Sequence, residues 1–146
     1  MEVQLVVFKL DKEEYGVNIL QVQEIKRMTE ITRVPHTPDY IKGVINLRGS
    51  VLPVIDLKNR LVLPAGEYSD DTRIIIVKVE DISVGIVVDA VSEVMTINSE
   101  TIEPAQSVVG GVSANYLNGV GKLDNRLIVL LNLEALIGLG QEAKVG

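Results

Sequence analysis

The chain repeats itself at a fixed offset. Gly16, Val22, Glu24 and Ile25 recur as Gly85, Val91, Glu93 and Val94 with one constant spacing, within apolar–polar patterns that run parallel over twelve positions. Further along, Gly43-Val44 recurs as Gly119-Val120, and Val54-Ile55-Asp56-Leu57 as Leu130-Leu131-Asn132-Leu133, both at a second, slightly longer spacing. Seven extra residues therefore lie between the two blocks of the second half. Chance β patterning is the alternative to duplication, and the constant spacing favours duplication. A unit of this size buries too little apolar surface to stand alone. The 146 residues thus read as one domain of two small β units, near 13–64 and 72–137, sharing a core. Curling each sheet would protect its edges. The N-terminal strand has the option of crossing over to complete the other unit.

Strands are favoured because Val and Ile fill 38 positions, and their branched β-carbons suit the pleated sheet. Residues 4–10 and 15–19 read as a hairpin through Asp11-Lys12-Glu13. Residues 43–47 and 51–57 read as a second around Arg48-Gly49-Ser50, with Pro53 pointing to an edge, a bulge or a non-bonded face. Residues 73–79 pair with 83–88 through Glu80-Asp81, and 116–123 with 127–133 through Asp124-Asn125. The stretch 20–26 is open between helix and strand: Leu20, Val22 and Ile25 fit one helical face, while Leu20, Val22 and Glu24 alternate. Residues 91–97 are open in the same way. Ile31–Val34 reads as a brief strand, Thr37-Pro38 as a helix or turn start, and 58–63 and 134–139 as helical turns. Residues 100–111 read as an irregular connection and the last seven as a fraying tail.

Little catalytic equipment is present. The chain has no Cys, which excludes disulfides, thiolate metal sites and thiol catalysis. Its one histidine, His36, follows Pro35 in a polar connection without a Ser or Cys motif, and reads as a loop residue. The acids are scattered rather than paired for glycoside hydrolysis; Asp56 and Asp89 fit turn caps or partners for arginine. Gly119-Val120-Gly121-Lys122 lacks the spacing of a phosphate loop and reads as a turn, and Gly110-Gly111 lacks a dinucleotide-site context. The expectation is no catalytic, cofactor-binding or metal-binding residue and no cofactor. Net charge of −6 disfavours nucleic acid or an anionic membrane as partner. No apolar run reaches the roughly eighteen residues of a bilayer span. Charged residues soon after Met1 leave no signal peptide, which points to the cytoplasm.

The informative polar residues lie elsewhere. Asn46-Leu47-Arg48-Gly49 is a compact turn between apolar strands, with Gly49 able to take an unusual backbone conformation. Arg48 offers five fixed donors to a protein partner, or pairs locally with Asp56 or another acid. Glu24, beside Val22 and Ile25, is either part of a binding face or a solvated charge.

Several of these segments together resemble the CheW family of bacterial chemotaxis coupling proteins. They are Glu14-Tyr15-Gly16-Val17, Val22-Gln23-Glu24-Ile25, Thr32-Arg33-Val34-Pro35 and, most specifically, residues 41–57 (IKGVINLRGSVLPVIDL). Val84–Asp89, Val91–Val94, Ile102–Pro104 and Leu130–Glu134 continue the likeness over nearly the whole chain. The central motif is shared with the regulatory domain of the CheA kinase. The length, however, leaves no room for a kinase's phosphotransfer, dimerisation and ATP-binding modules, or for the receiver of a CheV-like adaptor.

The resemblance implies a mainly β fold of two intertwined five-stranded SH3-like β-barrels sharing a hydrophobic core, with short helices. It implies a non-enzymatic, cytoplasmic adaptor, recruited to membrane receptor arrays. There it would join the cytoplasmic tip of a methyl-accepting chemotaxis receptor to the histidine kinase CheA through its regulatory domain. It associates Val22, Glu24 and Arg48 with partner binding, and Gly43 with either fold or interface. Competing readings are a small-molecule-binding barrel, which needs a wet interior, a free-standing kinase-regulatory domain, and a hydrolase, which needs an organised nucleophile and base.

Overall fold

A computed structural model describes residues 1–105, 108–109 and 112–138. The frayed tail expected at the C-terminus lies outside the described residues. Strands β1 (Glu2–Leu10) and β2 (Glu13–Asn18) form the first hairpin, followed by the 3-10 turn Ile19–Gln21 and β3 (Val22–Arg27). Next come β4 (Ile41–Leu47), β5 (Ser50–Asp56), the one-turn helix α1 (Leu57–Arg60), β6 (Arg73–Val79) and β7 (Ile82–Val88). The second half contains β8 (Ala90–Asn98), β9 (Ile102–Glu103), β10 (Val108–Val109), β11 (Val112–Ser113), β12 (Leu117–Leu123), β13 (Arg126–Leu131) and α2 (Leu133–Leu136). The open stretch at 20–26 thus resolves as a 3-10 turn leading into a strand, and 91–97 as strand. Ile31–Val34 forms only a bridge, between Thr32 and Val44. Gly119 and Gly121 lie within β12 rather than in a turn.

The strands build a six-stranded sheet ordered β8-β1-β2-β13-β12-β9 and a five-stranded sheet ordered β3-β6-β7-β5-β4, with β10 and β11 as a separate pair. The expectation of two five-stranded SH3-like barrels is overturned, because neither sheet closes. One runs from edge strand β8 to edge strand β9, the other from β3 to β4. Closure needs a hydrogen-bonded ladder between edge strands. Apolar alternation specifies which face is buried and carries no information about that ladder.

The echoed residues occupy matching places. Gly16 lies opposite Leu130 in the parallel pairing of β2 with β13, and Gly85 opposite Val54 in the parallel pairing of β7 with β5. Gly43 and Gly119 each follow a register shift against Val54 and Leu130. The two hairpins β1–β2 and β6–β7 each complete the sheet that holds the later strands of the other half.

Three apolar clusters explain the dense Val and Ile usage. Alternate residues of β1 point to opposite sides: Val6, Phe8 and Leu10 enter the central cluster between the sheets, while Leu5 and Val7 join a second cluster with Met95, Ile97, Ile128 and Leu130. The unbroken run Ile74–Val77 divides likewise. Ile75 and Val77 face the centre, and Ile74 and Ile76 pack with Ile45, Leu52 and Val54. A strand covered on both faces loses its polar alternation. Asp56 and Asn132, an echoed pair, accept the Asn59 and Ala135 N–H groups, both at 3.2 Å, and so cap α1 and α2.

Candidate protein interface

Val22 opens β3 half-buried and packs against the central cluster. Two residues on, Glu24 reaches the β4–β5 turn. In that turn Arg48 and Gly49 have φ of 51° and 90°. Positive φ at both central positions is what a two-residue type I′ hairpin requires. The Asn46 side-chain oxygen accepts the Gly49 N–H at 2.9 Å and fixes the turn. Arg48 Nη1 then donates to Glu24 Oε2 at 3.0 Å and to Oε1 at 3.4 Å. The strands β3 and β4 are opposite ends of the sheet order, so this contact shows how far the sheet bends.

The arginine side chain is 72% exposed. An exposed ion pair contributes about 0–1 kcal/mol. Glu24 therefore orients Arg48 without holding it tightly, and the donors facing water stay open to another carboxylate. Asp56, one local acid considered for Arg48, caps α1 instead.

Gly43 is buried, away from this surface pair. Its φ is 154°, and a Cβ there would overlap the Thr32 carbonyl. That close approach belongs to a pair of backbone hydrogen bonds, Thr32 N–H to the Val44 carbonyl at 2.9 Å and Val44 N–H to the Thr32 carbonyl at 2.8 Å. The structure thus brings Glu24 and Arg48 into contact, sets Val22 at the start of the same strand, and gives Gly43 a backbone role. His36 is exposed, with φ of 64°, beside an open cavity also lined by Arg33 and Lys42.

The contacts of Lys58 and Arg60 were not anticipated from the sequence. Lys58, 11% exposed at its side chain, lies 2.9 Å from Asp11 and 2.7 Å from Asp89. The Arg60 guanidinium lies over the rings of Tyr40 and Tyr116. Those tyrosines are themselves an echoed pair, at the spacing that relates Gly43 to Gly119, a signal available in the sequence.

On the six-stranded sheet, Arg126 bonds Glu14 through two nitrogens, at 3.0 and 2.6 Å, and Glu93 at 2.9 Å. The Arg126 hydrogen bonds lower the Glu14 pKa from 4.5, against the opposing effect of burial and with added attraction from Arg126 and Lys9. A depressed folded pKa gives stability that is present above about pH 4.5 and is lost as pH falls through the folded value. Glu14→Gln is expected to be less stable than the parent at pH 7 and to lose less as pH falls below 4.5, in urea titrations at successive pH values.

The geometry is that of a β domain with an exposed, oriented arginine, and the comparisons agree. A CheW-like domain model matches residues 4–140. The chain belongs to the CheW family. The chemotaxis protein CheW of Klebsiella aerogenes is 39% identical over 142 residues, spanning 97% of this chain and 86% of that protein. CheW of Bacillus subtilis is 41% identical over 133 residues, spanning 91% and 85%. The crystal structure of the scaffolding protein TtCheW from Thermoanaerobacter tengcongensis superposes with a TM-score of 0.87 at 40% identity, covering 93% of this chain and 88% of that one. As a CheW-family protein the chain is a non-enzymatic chemotaxis adaptor, of the kind that couples methyl-accepting receptors to the kinase CheA. Among the described residues no group of three or more His, Cys, Asp or Glu could hold a metal ion, and no helix is long and apolar enough to cross a membrane.

Proposed function

We propose that the chain binds the cytoplasmic tip of a methyl-accepting chemotaxis receptor with one surface and the regulatory domain of CheA with another. It does so in the cytoplasm, at membrane receptor arrays, without nucleic acid and without entering the bilayer. The observation that carries this reading is the Glu24–Arg48 pair, a charged group aimed outward by a fixed turn and weakly held. Val22 and Glu24 place the start of β3 on the same interface, and Gly43 acts through the backbone that shapes it.

A second surface is supported on the other sheet. A groove of about 420 Å³ there is lined by Tyr15, Val120, Leu127 and Val129, with Glu14 and Arg126 at its rim. Its apolar floor suits one face of an amphipathic helix, and Leu127 is 57% exposed. In this reading the whole of 1–146 acts as one domain, and the repeated units near 13–64 and 72–137 supply the two surfaces between them. The parallel registers of Gly16 and Gly85 and the swapped hairpins support that division.

Arg48→Ala is expected to weaken binding to at least one partner by about tenfold, the loss of one anchoring arginine at an interface. Folding stability should shift by less than about 1 kcal/mol, because the pair is exposed. Titration calorimetry with a receptor cytoplasmic fragment and with the kinase regulatory domain reads both affinities. Unchanged affinity for both would remove Arg48 from the interface.

A further inference from the structure

We infer that α1 sets the angle between the two sheets, with Lys58 and Arg60 as its positioning residues, and that coupling between the two partners runs through this joint. The inference rests on the adaptor reading above.

Helix α1 follows β5 of the five-stranded sheet, and two of its side chains reach the six-stranded side. Lys58 Nζ bonds Asp11, in the turn between β1 and β2, and Asp89, where the chain leaves β7 for β8. Asp89 is held twice by the chain entering that turn. Its Oδ2 accepts the Asp11 N–H at 2.6 Å, and its own N–H donates to the Lys9 carbonyl at 3.0 Å. The lysine therefore pins the crossing point of the chain to the edge of the other hairpin.

Arg60 makes the second bridge. Its Nε donates to the Leu136 carbonyl at 2.7 Å and its Nη2 to the Ala135 carbonyl at 3.3 Å, at the end of α2. The guanidinium lies 4.3 and 5.1 Å from the ring centres of Tyr40 and Tyr116. The carbonyls of these tyrosines accept the Asp56 and Asn132 N–H groups at 2.7 and 2.8 Å, so each ring belongs to the cap of one helix. One cation thus ties both caps together.

The duplication makes this arrangement informative. The counterparts of Lys58 and Arg60 in the second half are Glu134 and Leu136, and the counterpart of Asp89 in the first half is Leu20, which is 88% exposed. A repeated fold alone would carry the same bridges on both sides, whereas here both start from α1. Among the described residues the sheets also meet through the central apolar cluster. Apolar burial is non-directional, while charge-assisted hydrogen bonds fix geometry. The two candidate surfaces lie on different sheets, so a partner that favours one arrangement of the sheets changes the affinity for the other.

The chain has no native cysteine, so spin labels at V51C and L127C report the distance between the sheets. Val51 and Leu127 are 63% and 57% exposed, one on each sheet. The distribution is expected to broaden or shift in K58M, in R60K, and in the triple variant D11N/K58M/D89N, which removes the cluster without leaving an unpaired carboxylate. In unlabelled protein, each partner's own affinity should stay within about twofold, while the effect of the receptor fragment on kinase-domain affinity falls about fivefold or more. A distribution unchanged in R60K and the triple variant would overturn the inference, as would a broadened one with coupling intact. Failure of the parent protein to bind either partner would count against the adaptor reading instead, since the label distances are read without partners.

Discussion

Gly43→Ala is expected to lose about 3 kcal/mol of folding stability, the upper end for a substitution at a strained backbone position. The added methyl meets the Thr32 carbonyl, part of the rigid two-bond bridge to Val44. A flexible side chain could swing away, whereas this carbonyl moves only if the bridge breaks. The φ of 154° adds strain for any L-residue. For a domain of this size the melting temperature should fall by roughly 10 °C.

Gly119→Ala is the control for cause. There φ is 148° and a Cβ would sit 2.7 Å from the Glu103 carbonyl oxygen, in the matching place of the other sheet. A comparable fall at Gly119 assigns the sensitivity of Gly43 to the backbone. A stable Gly43→Ala protein with weakened binding would assign it to the interface.

Lys58→Ala should cost about 2–3 kcal/mol, less than the about 3–5 kcal/mol for removing one member of a fully buried ion pair. The lower figure applies because Asp11 and Asp89 are 46% and 32% exposed at their side chains, so water partly relieves the orphaned carboxylates. Burial acts against the ammonium, but the Asp89 and Asp11 carboxylates outweigh it and raise the Lys58 pKa above 10.5. A raised folded pKa gives stability that is fully present below 10.5 and is lost as pH rises through the folded value. The parent should therefore lose stability above pH 10.5, and K58M should lose less over that window, in urea titrations between pH 9 and 12.

Local structure was largely legible in the sequence. The hairpins around Asp11, Arg48, Glu80 and Asp124 follow from turn residues between apolar runs. Each of those four residues has a φ between 51° and 55°, the strained position a short hairpin imposes. The echo of Gly16 with Gly85 foretold equivalent places in two sheets. Contacts distant in sequence were not legible. The partner of Arg48 is Glu24 rather than the nearer Asp56, because the sheet bends and brings its far edge to the turn. Lys58 reads as an ordinary helix-turn lysine, and only the path of Asp89 between the sheets gives it a buried place. Barrel closure was illegible for the same reason: pattern tells a strand which face to bury, and the ends of the sheet decide whether it closes.

The central claim is that one chain holds two partners at once. Sedimentation velocity of the protein mixed with a receptor cytoplasmic fragment and the isolated kinase regulatory domain tests it directly. The expected result is a ternary species heavier than either binary complex, at concentrations where receptor fragment and kinase domain alone do not associate. Two mutually exclusive binary complexes, or no complex with either partner, would contradict the account.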